Sequence, residues 1–463
     1  MANAGRFDGN FMAQNNDKPN IVLMVADDLG REAVGCYGNP VIKTPHLNWL
    51  AASGIRFINS FCTAPTCAAS RSTILTGLHN HTNGTYGHTH GVHHFSCFPT
   101  VKTLPAILKE GGYRTGRVGK QHYAPDSLFP FDCGHPAGQF GRDDVRMSEA
   151  CREFIRENEP FFLYWCSMNP HRAGTLETHP LRPDHFGNPT SDFLGDTEQT
   201  YAEDKVIVPP FLSDIPEVRA ELAQYYQSIS RLDRGVGRLM GILEEEGKLE
   251  NTVIIFISDN GPAFPEAKTT MYDPGMRLPC IIQSPRHSNR GTTCDGLITW
   301  ADITPTILEF AGLNYNPSAF FGRSFAGILD QASPADWRDE IYAAHTFHEV
   351  TNYYPMRVVR TKSHKFIWNI AWKLDYSFAS DLWHSASWQA VLRNKQNQFG
   401  ARSVDAYVHR QRFELYDLDK DPDEITNLAG DPGYQDLVNT FCDKIRKFQQ
   451  DTRDPWFHKW TYE

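Results

Sequence analysis

Oxygen-bearing side chains that could bind a metal ion follow two strongly apolar segments of the chain. Asp27 and Asp28 come directly after NIVLMVA, and Asp259 and Asn260 come directly after TVIIFIS. Carboxylate and amide oxygens suit hard cations such as Ca²⁺ or Mg²⁺, whereas zinc favours histidine and cysteine ligands. The pattern therefore predicts an oxygen-ligated metal site.

A cysteine close to a predicted helix start could supply a nucleophile beside this metal. In APTCAASRSTILTGLHN the helix is expected to begin near Ser70, which would place Cys67 by the positive end of the helix dipole. Arg71 could neutralise negative charge that develops there. We expect position 67 to supply the fifth metal ligand and to carry the chemistry.

Two further apolar segments end in groups that bind anions or transfer protons. Lys120 and His122 follow RTGRVG, while Asn169 and His171 follow FFLYWC. Each motif alone is typical of a turn or a helix cap. In an open α/β sheet, however, ligands bind outside the carboxyl ends of the strands. Taken together, the four motifs predict one site at a common edge.

The segments that would position these residues alternate between apolar strands and helices. This alternation predicts a mostly parallel sheet covered on both faces. Near residue 341 the pattern changes to antiparallel strands and a terminal helix, which indicates a smaller α+β subdomain. The predicted organisation is a flexible tail over 1–17, a catalytic domain over 18–350 and a C-terminal subdomain over 351–463.

Composition excludes several classes of protein. The 463 residues include 45 basic and 55 acidic side chains, and the net charge of −10 gives no reason to bind nucleic acid or an anionic membrane. No apolar run approaches the length of about 18 residues that a membrane span needs. The polar start lacks a secretory signal. We therefore expect a cytoplasmic protein, or an exported, periplasmic one if the start has been trimmed; a homodimer is left open.

The segment CAASR (67–71), followed by LTG (75–77), resembles the signature of the sulfatase family, in which the cysteine is converted to formylglycine. The motifs DDLG, GKQH, NPH and SDNG resemble that family in order and spacing. This resemblance implies an alkaline-phosphatase-like α/β sandwich with a large central sheet, and bound Ca²⁺ in preference to Mg²⁺.

The resemblance also implies a mechanism. A hydrated formylglycine at position 67 attacks the sulfur of the substrate and forms a covalent sulfo-enzyme, from which sulfate is then released. The implied calcium ligands are Asp27, Asp28, Asp259, Asn260 and the modified Cys67. The implied cations around the sulfate are Arg71, Lys120 and Lys268. His171 is the first candidate for the general acid and His122 for assisting the nucleophile, although the two roles could be exchanged.

Within the family, the segments NGTYGHTHGVHHF, NPHRAG, FHEVTNYYPMR and DPWF resemble the heparan N-sulfatases. The implied substrate is N-sulfated glucosamine at the non-reducing end of heparan sulfate or heparin fragments. The expected substrate contacts are Lys120, His171, Lys268, His348 and Glu349. For the last two, a surface loop is the alternative. Lys268 stands where these N-sulfatases tend to carry arginine, and the cation is kept.

Ala69 departs from the commonest signature, which has proline at this position. The aerobic maturing enzyme prefers proline, whereas radical-type anaerobic maturases accept alanine, so we expect a maturase of the anaerobic type as a partner. Three alternatives are left open. The first is a carbohydrate O-sulfatase or a phosphonate or phosphodiester hydrolase of the same fold. The second is a binder of sulfated glycans without turnover. The third, a zinc phosphatase, lacks the extra histidine and aspartate ligands.

Overall fold

The computed structural model describes residues 18–173, 181–188, 193 and 197–462. The tail predicted over 1–17 lies outside these residues. The described strands are β1 Asn20–Ala26, β2 Ile55–Phe57, β3 Ser60–Phe61, β4 Arg114–Gly119, β5 Cys133–Pro136, β6 Phe161–Cys166, β7 Thr252–Ser258, β8 Cys280–Gln283, β9 Thr292–Cys294, β10 Ile298–Thr299, β11 Glu340–Phe347, β12 Tyr353–Thr361, β13 His364–Asn369, β14 Gln398–Phe399, β15 Arg402–Ser403 and β16 Phe413–Asp417.

The described α-helices are α1 Pro45–Ser53, α2 Cys67–Thr76, α3 Asn80–Asn83, α4 Leu104–Glu110, α5 Asp144–Glu149, α6 Arg152–Glu157, α7 Pro216–Glu245, α8 Asp273–Met276, α9 Ile303–Phe310, α10 Ser380–Trp383, α11 Ala386–Arg393, α12 Val404–Val408, α13 Gln435–Asp451 and α14 Lys459–Tyr462. Among them, none combines the length and the apolar character that crossing a membrane requires.

The large sheet has eight strands in the order β5-β4-β6-β1-β7-β8-β2-β9. β8 runs antiparallel to its neighbours β7 and β2, and the other neighbouring pairs are parallel. β1, β6 and β7 are buried along their whole length, which is why their sequences are continuously apolar rather than alternating. The predicted mostly parallel sheet is confirmed.

Helices cover this sheet in two packed groups. α7 packs against α1, α5 and α11, whereas α2 packs against α4 and α9. Pro216 opens α7 because the first residue of a helix leaves its N–H unpaired, and proline has none to lose. The buried Asp233 of α7 accepts a hydrogen bond from the backbone N–H of Leu47 at 2.8 Å, which ties α7 to α1.

A second, antiparallel sheet has the order β11-β12-β13-β16. α13 packs on it, so that Phe441 and Ile445 join Phe366 and Leu415 in a small apolar core. Met356 and Val358 of β12 belong instead to the main core, which anchors the sheet to the rest of the molecule. The first strand of this sheet begins at Glu340, ahead of the boundary predicted at residue 350.

Candidate active site

The polar residues that follow β4, β6, β1 and β7 meet at one edge of the large sheet, because these four strands are parallel neighbours. The predicted residues gathered there are Asp27, Asp28, Lys120, His122, His171, Asp259 and Asn260. The side chain of Asn169 turns away from them. Its amide nitrogen donates to Asp144 at 2.9 Å and its oxygen accepts from Ser228 at 3.0 Å, so Asn169 holds the underlying structure together.

Helix α2 begins at Cys67 itself, whereas the sequence predicts a start near Ser70. Thr66 is extended, and its carbonyl accepts the first helical hydrogen bond from the Ser70 N–H at 2.9 Å. Cys67 is fully buried, with Sγ 3.6 Å from Asp28 Oδ1. Burial raises the pKa of this thiol well above its ordinary value. A thiol in this environment is a poor source of thiolate.

The carboxylate oxygens beside Cys67 form a tight buried cluster. Asp28 Oδ1 accepts from Asn260 Nδ2 at 2.7 Å, and Asp259 Oδ1 accepts from the backbone N–H of Asp28 at 3.1 Å. Among the described residues, Asn260 Oδ1 has no hydrogen-bond partner and Asp27 Oδ1 has only the ion-pair contact with Arg71 Nη2 at 3.7 Å. A bound ion is one of the groups that satisfy such buried atoms. The four residues Asp27, Asp28, Asp259 and Asn260 fit a hard cation such as Ca²⁺, because they offer oxygen ligands and two of those oxygens make no hydrogen bond.

Three cations surround this cluster. Arg71 Nε donates to Asp259 Oδ2 at 2.8 Å. Lys120 Nζ donates to Asp27 Oδ2 at 2.5 Å. Lys268 Nζ lies 2.8 Å from Asp28 Oδ2 and 2.8 Å from Asp381 Oδ2. Burial opposes the charge of Lys268, but the two carboxylates raise its pKa well above the ordinary value, so Lys268 remains charged.

Carboxylates outnumber cations in this cluster. The carboxylates are Asp27, Asp28, Asp259 and Asp381, and the cations are Arg71, Lys120 and Lys268. Burial raises the pKa of Asp259 to about 7 in spite of Arg71. Burial also opposes the charge of Asp27, yet Lys120 holds the pKa of Asp27 well below its usual range. A divalent cation would reverse the sign of the net charge and make the site attractive to an anion.

His171 faces the cluster from the loop that follows β6. Its Nδ1 donates to the backbone carbonyl of Arg172, and its Nε2 lies 3.7 Å from Asp28 Oδ2. Burial and the nearby charge of Lys268 lower the pKa of His171 to about 4. Because Nδ1 carries the hydrogen of the neutral ring, Nε2 is the atom that can exchange a proton at the site.

His122 and His348 lie on the other side of the cluster. His122 has a left-handed backbone with φ 50°, and its Nε2 is 3.0 Å from Nδ1 of His90. His348 is buried, and its Nδ1 is 2.6 Å from Oγ1 of Thr66, the residue before Cys67. The surface-loop alternative therefore does not describe His348. Glu349 is half-buried and accepts a hydrogen bond from the backbone N–H of Ser380 at 3.0 Å.

A cleft of about 670 Å³ opens onto this arrangement. Its lining includes four predicted residues besides Lys120, namely His122, His171, His348 and Glu349. It also includes Asp381, His88 and His90, which sequence reasoning missed. The repeated histidines of GHTHGVHH were a usable signal for two of these. No local pattern marks Asp381, which is recognisable only through its contact with Lys268.

Family models match most of the chain. The sulfatase model matches residues 19–313, and the model for the C-terminal part of N-sulphoglucosamine sulphohydrolase matches residues 266–383. Human N-sulphoglucosamine sulphohydrolase is 36% identical to this chain over 460 residues, covering 94% of this chain and 91% of the human protein. An ulvan-active sulfatase of Formosa agariphila is 27% identical and covers 91% of this chain and 78% of its own.

Solved structures share the fold. One structure of a protein in complex with its substrate D-glucosamine-2-N,6-O-disulfate superposes with a TM-score of 0.68 at 21% identity, and covers 95% of this chain and 99% of its own. This likeness confirms the predicted sandwich with its second, antiparallel sheet. The match of the family model and the identity to the human relative together establish that the chain belongs to the sulfatase family.

Proposed function

We propose that the protein removes the N-sulfate of glucosamine at the non-reducing end of heparan sulfate or heparin fragments. One observation carries this choice of substrate. The segment that matches the C-terminal model of N-sulphoglucosamine sulphohydrolase, 266–383, supplies His348, Glu349 and Asp381 to the lining of the cleft, and Lys268, which is buried against Asp381. The similarity therefore covers the residues that would contact the sugar, and not only the metal cluster that sulfatases share.

The oxygen cluster would hold one Ca²⁺, with Mg²⁺ as the weaker candidate, and its proposed ligands are Asp27, Asp28, Asp259, Asn260 and residue 67. When bound, such an ion acts as a Lewis acid on a sulfate oxygen and lowers the pKa of an attached hydroxyl group. Its positive charge would also offset the excess of carboxylates at the sheet edge.

Cys67 is proposed to be converted to formylglycine, whose hydrate supplies the attacking oxygen. The position of Cys67 at the start of α2, with Sγ 3.6 Å from Asp28 Oδ1, supports this assignment, because it places the side chain among the proposed metal ligands. Since Ala69 replaces the usual proline, the proposed maturase is of the anaerobic radical type. Mass spectrometry of the peptide that contains residue 67 tests this step. An intact thiol in a fully active preparation would contradict it.

Arg71, Lys120 and Lys268 are proposed to hold the charge that spreads over the sulfuryl oxygens in the transition state. All three are held by carboxylates at 2.5 to 2.8 Å, so they need little reorganisation when the substrate arrives. A preorganised group of this kind contributes about 3 kcal/mol to the transition state.

His171 is proposed to protonate the leaving amine, which is a poor leaving group without a proton. The hydrogen bond from Nδ1 to Arg172 fixes the ring so that Nε2 faces the site. Burial and the charge of Lys268 lower the pKa of His171 in the free protein, and the negative charge of a bound sulfate group would offset the contribution of Lys268. His122 is proposed to assist the nucleophile, and His348 and Glu349 to contact the terminal sugar.

The assignment of His171 predicts a dependence on the leaving group. His171→Ala should lower kcat/KM for N-sulfoglucosamine by at least about a hundredfold, because the amine then leaves without a proton. An aryl sulfate, whose leaving group needs no proton, should be affected much less. His122→Ala is the matched control and should lower both rates alike. Equal losses on both substrates in His171→Ala would contradict the assignment.

The substrate is tested by measuring free sulfate released from N-sulfated glucosamine and from 6-O-sulfated glucosamine, with a phosphonate ester as a third substrate. We expect release from the N-sulfated sugar, and none from any substrate with Cys67→Ala. Turnover of only the O-sulfated sugar or the phosphonate ester would replace the proposed function by the corresponding hydrolase. Binding of heparan fragments without any release, in protein shown to carry formylglycine, would indicate a binding protein.

A further inference from the structure

Three histidines converge at the mouth of the cleft, outside the carboxylate cluster. The ring centroids of His88, His90 and His122 are 4.8, 4.9 and 5.0 Å apart in pairs. One ligand nitrogen from each ring can be chosen so that all three lie within 4.8 Å of one another. In a tetrahedral zinc site with Zn–N bonds of about 2.0 Å, such nitrogens lie about 3.3 Å apart. Small side-chain rotations would therefore bring the three rings around one ion.

The backbone holds this cluster in place. The N–H of His88 donates to the carbonyl of His348 at 2.8 Å, and the carbonyl of His88 accepts from the N–H of Phe95 at 3.1 Å. His122 lies in the segment that follows β4, two residues after Lys120, and it adopts a left-handed backbone. His90 is exposed, which gives an ion in solvent access to the cluster.

All three rings are neutral at neutral pH, which is the form that binds metal ions. Burial and the charge of Lys268 lower the pKa of His88 to about 2. Burial also lowers the pKa of His90, and lowers that of His122 well below its ordinary value. In addition, no described residue makes a hydrogen bond with Nδ1 of His88 or with Nδ1 of His122. In the described part of the chain, these two rings therefore each have a ring nitrogen without a hydrogen-bond partner.

Two neighbouring histidines lie outside this group. Nδ1 of His93 accepts a hydrogen bond from the N–H of Val350 at 3.1 Å, and Nδ1 of His348 is paired with Thr66 at 2.6 Å. Within the group, Nδ1 of His90 and Nε2 of His122 lie 3.0 Å apart, close to the spacing of two nitrogens around one zinc ion. The group with ligand nitrogens within 4.8 Å of one another comprises three rings, which leaves a fourth position for water.

We propose that His88, His90 and His122 form a second metal site, which takes a transition-metal dication such as Zn²⁺ and thereby inhibits the enzyme. Imidazole nitrogen selects Zn²⁺ over Ca²⁺, whereas the oxygen cluster at the sheet edge has the opposite preference. The two sites can therefore hold different ions in the same molecule. Inhibition follows because the ion withdraws His122 and lies at the entrance of the cleft. The inhibition rests on the proposed function, but the binding does not.

Cobalt spectroscopy tests the binding without any turnover. In protein saturated with Ca²⁺, added Co²⁺ should give the visible absorption of a tetrahedral site, and one equivalent of Zn²⁺ should abolish it. His90→Ala should weaken the binding by at least about tenfold, since loss of a ligand exceeds the effect of losing a supporting group. His90 is exposed, so this substitution leaves the fold intact.

Two matched controls locate the ion. His94→Asn removes an exposed histidine of the same loop, and asparagine tolerates the left-handed backbone at that position; its cobalt spectrum should equal that of the parent. Asp28→Asn alters the oxygen cluster and should also leave the spectrum unchanged. Loss of the absorption in Asp28→Asn, or full retention in His90→Ala, would overturn the proposal.

The inhibition is tested by titrating Zn²⁺ into the assay for sulfate release at saturating Ca²⁺. The parent should be inhibited over the concentration range that displaces cobalt, and His90→Ala should need at least about tenfold more Zn²⁺. Zinc that binds the parent without slowing it would overturn the inhibitory role. If N-sulfated glucosamine is not turned over at all, the proposed function fails, whereas the cobalt titration still decides the metal site.

Discussion

Two buried networks of charge in this molecule are built differently. The first, here called the bridging network, joins α8 to the antiparallel sheet through Asp273, Arg360, Lys365 and Glu424. Lys365 Nζ lies 2.5 Å from Asp273 Oδ1 and 2.6 Å from Glu424 Oε1, and Arg360 Nη2 lies 3.0 Å from Asp273 Oδ2. Arg277 Nη1 also lies 3.7 Å from Asp273 Oδ2, so two carboxylates meet three cations and no carboxylate is in excess.

The second network, here called the edge network, consists of the carboxylates and cations around Cys67. It has more carboxylates than cations. Among the described residues, Asn260 Oδ1 has no hydrogen-bond partner and Asp27 Oδ1 has only Arg71 Nη2 at 3.7 Å, whereas Glu424 Oε1 of the bridging network has Lys365 at 2.6 Å. Both networks are buried, so burial does not distinguish a functional site from a structural one. The distinction lies in the balance of charge: the bridging network is complete, whereas the edge network lacks a cation.

The largest expected effect comes from breaking the complete network. Asp273→Asn should lower the free energy of unfolding by about 3–5 kcal/mol, because it leaves Arg360 buried without a carboxylate partner and Lys365 with Glu424 alone. Urea denaturation measures this change. The folded fraction should keep the parent's kcat. As a control, Asp443→Asn removes an exposed ion pair with Arg446 and should cost less than about 1 kcal/mol. Equal effects of the two variants would contradict the distinction.

Replacing an aspartate of the edge network by asparagine should lower activity and leave stability nearly unchanged. Asp28→Asn should lower the rate of sulfate release by about a hundredfold to a thousandfold, since it removes a metal ligand and disturbs Lys268. In calcium-free protein, its free energy of unfolding should stay within about 1 kcal/mol of the parent, because Lys268 keeps Asp381 as a partner. Destabilisation as large as that of Asp273→Asn, measured by urea denaturation, would show that the edge network is structural.

Much of the edge network could be predicted from sequence, because a parallel sheet places the ends of its strands side by side whatever its details. Apolar runs located β1, β4, β6 and β7, and the structure brings the polar residues after them together at the sheet edge in all but one case. That exception, Asn169, bonds to groups on α5 and α7, and no pattern of strand ends reveals such packing.

The rest of the site depends on contacts between segments that are distant in sequence. Asp381 reaches Lys268 from α10, and His88 joins the cleft because its N–H pairs with the carbonyl of His348. The bridging network is of the same kind, since Asp273 meets residues of β12 and β13. Such contacts follow from the packing of two sheets, which periodicity in one segment does not encode. The start of α2 at Cys67 depended likewise on the extended conformation of Thr66.

The stabilisation of the protein by calcium should depend on the edge network and not on the bridging network. At about a hundred times its dissociation constant, Ca²⁺ should raise the free energy of unfolding by about 2.7 kcal/mol, since it binds the folded state only. Thermal denaturation with and without a chelator measures the difference. Asp273→Asn is less stable without Ca²⁺, but its free energy of unfolding should rise by the same amount when Ca²⁺ is added. Asp28→Asn should show no such rise. An increment that survives in Asp28→Asn would place the calcium elsewhere.

The smallest expected effect is a difference in pH dependence between the networks. Burial opposes the charge of Asp273, but Arg360 and Lys365 hold its pKa well below the usual range. The stability that Asp273 contributes is therefore present above about pH 4, the pKa of an unfolded aspartate, and is lost as the pH falls further. The contribution of Asp259 to the free energy of unfolding changes with pH in the opposite direction. Because burial raises its pKa to about 7, the calcium-free protein should lose stability as the pH rises from about 4 to 7.

Urea denaturation across this pH range, with Asp273→Asn and Asp259→Asn beside the parent, separates the two contributions. Below about pH 4 the free energies of unfolding of the parent and of Asp273→Asn should approach each other, by at most about 1.4 kcal/mol per pH unit. Between about pH 4 and 7 the calcium-free parent should lose stability that Asp259→Asn does not, and added Ca²⁺ should remove this difference because the metal displaces the proton. Parallel curves for all three proteins would mean that neither carboxyl is shifted, and the contrast between the networks would then rest on geometry alone.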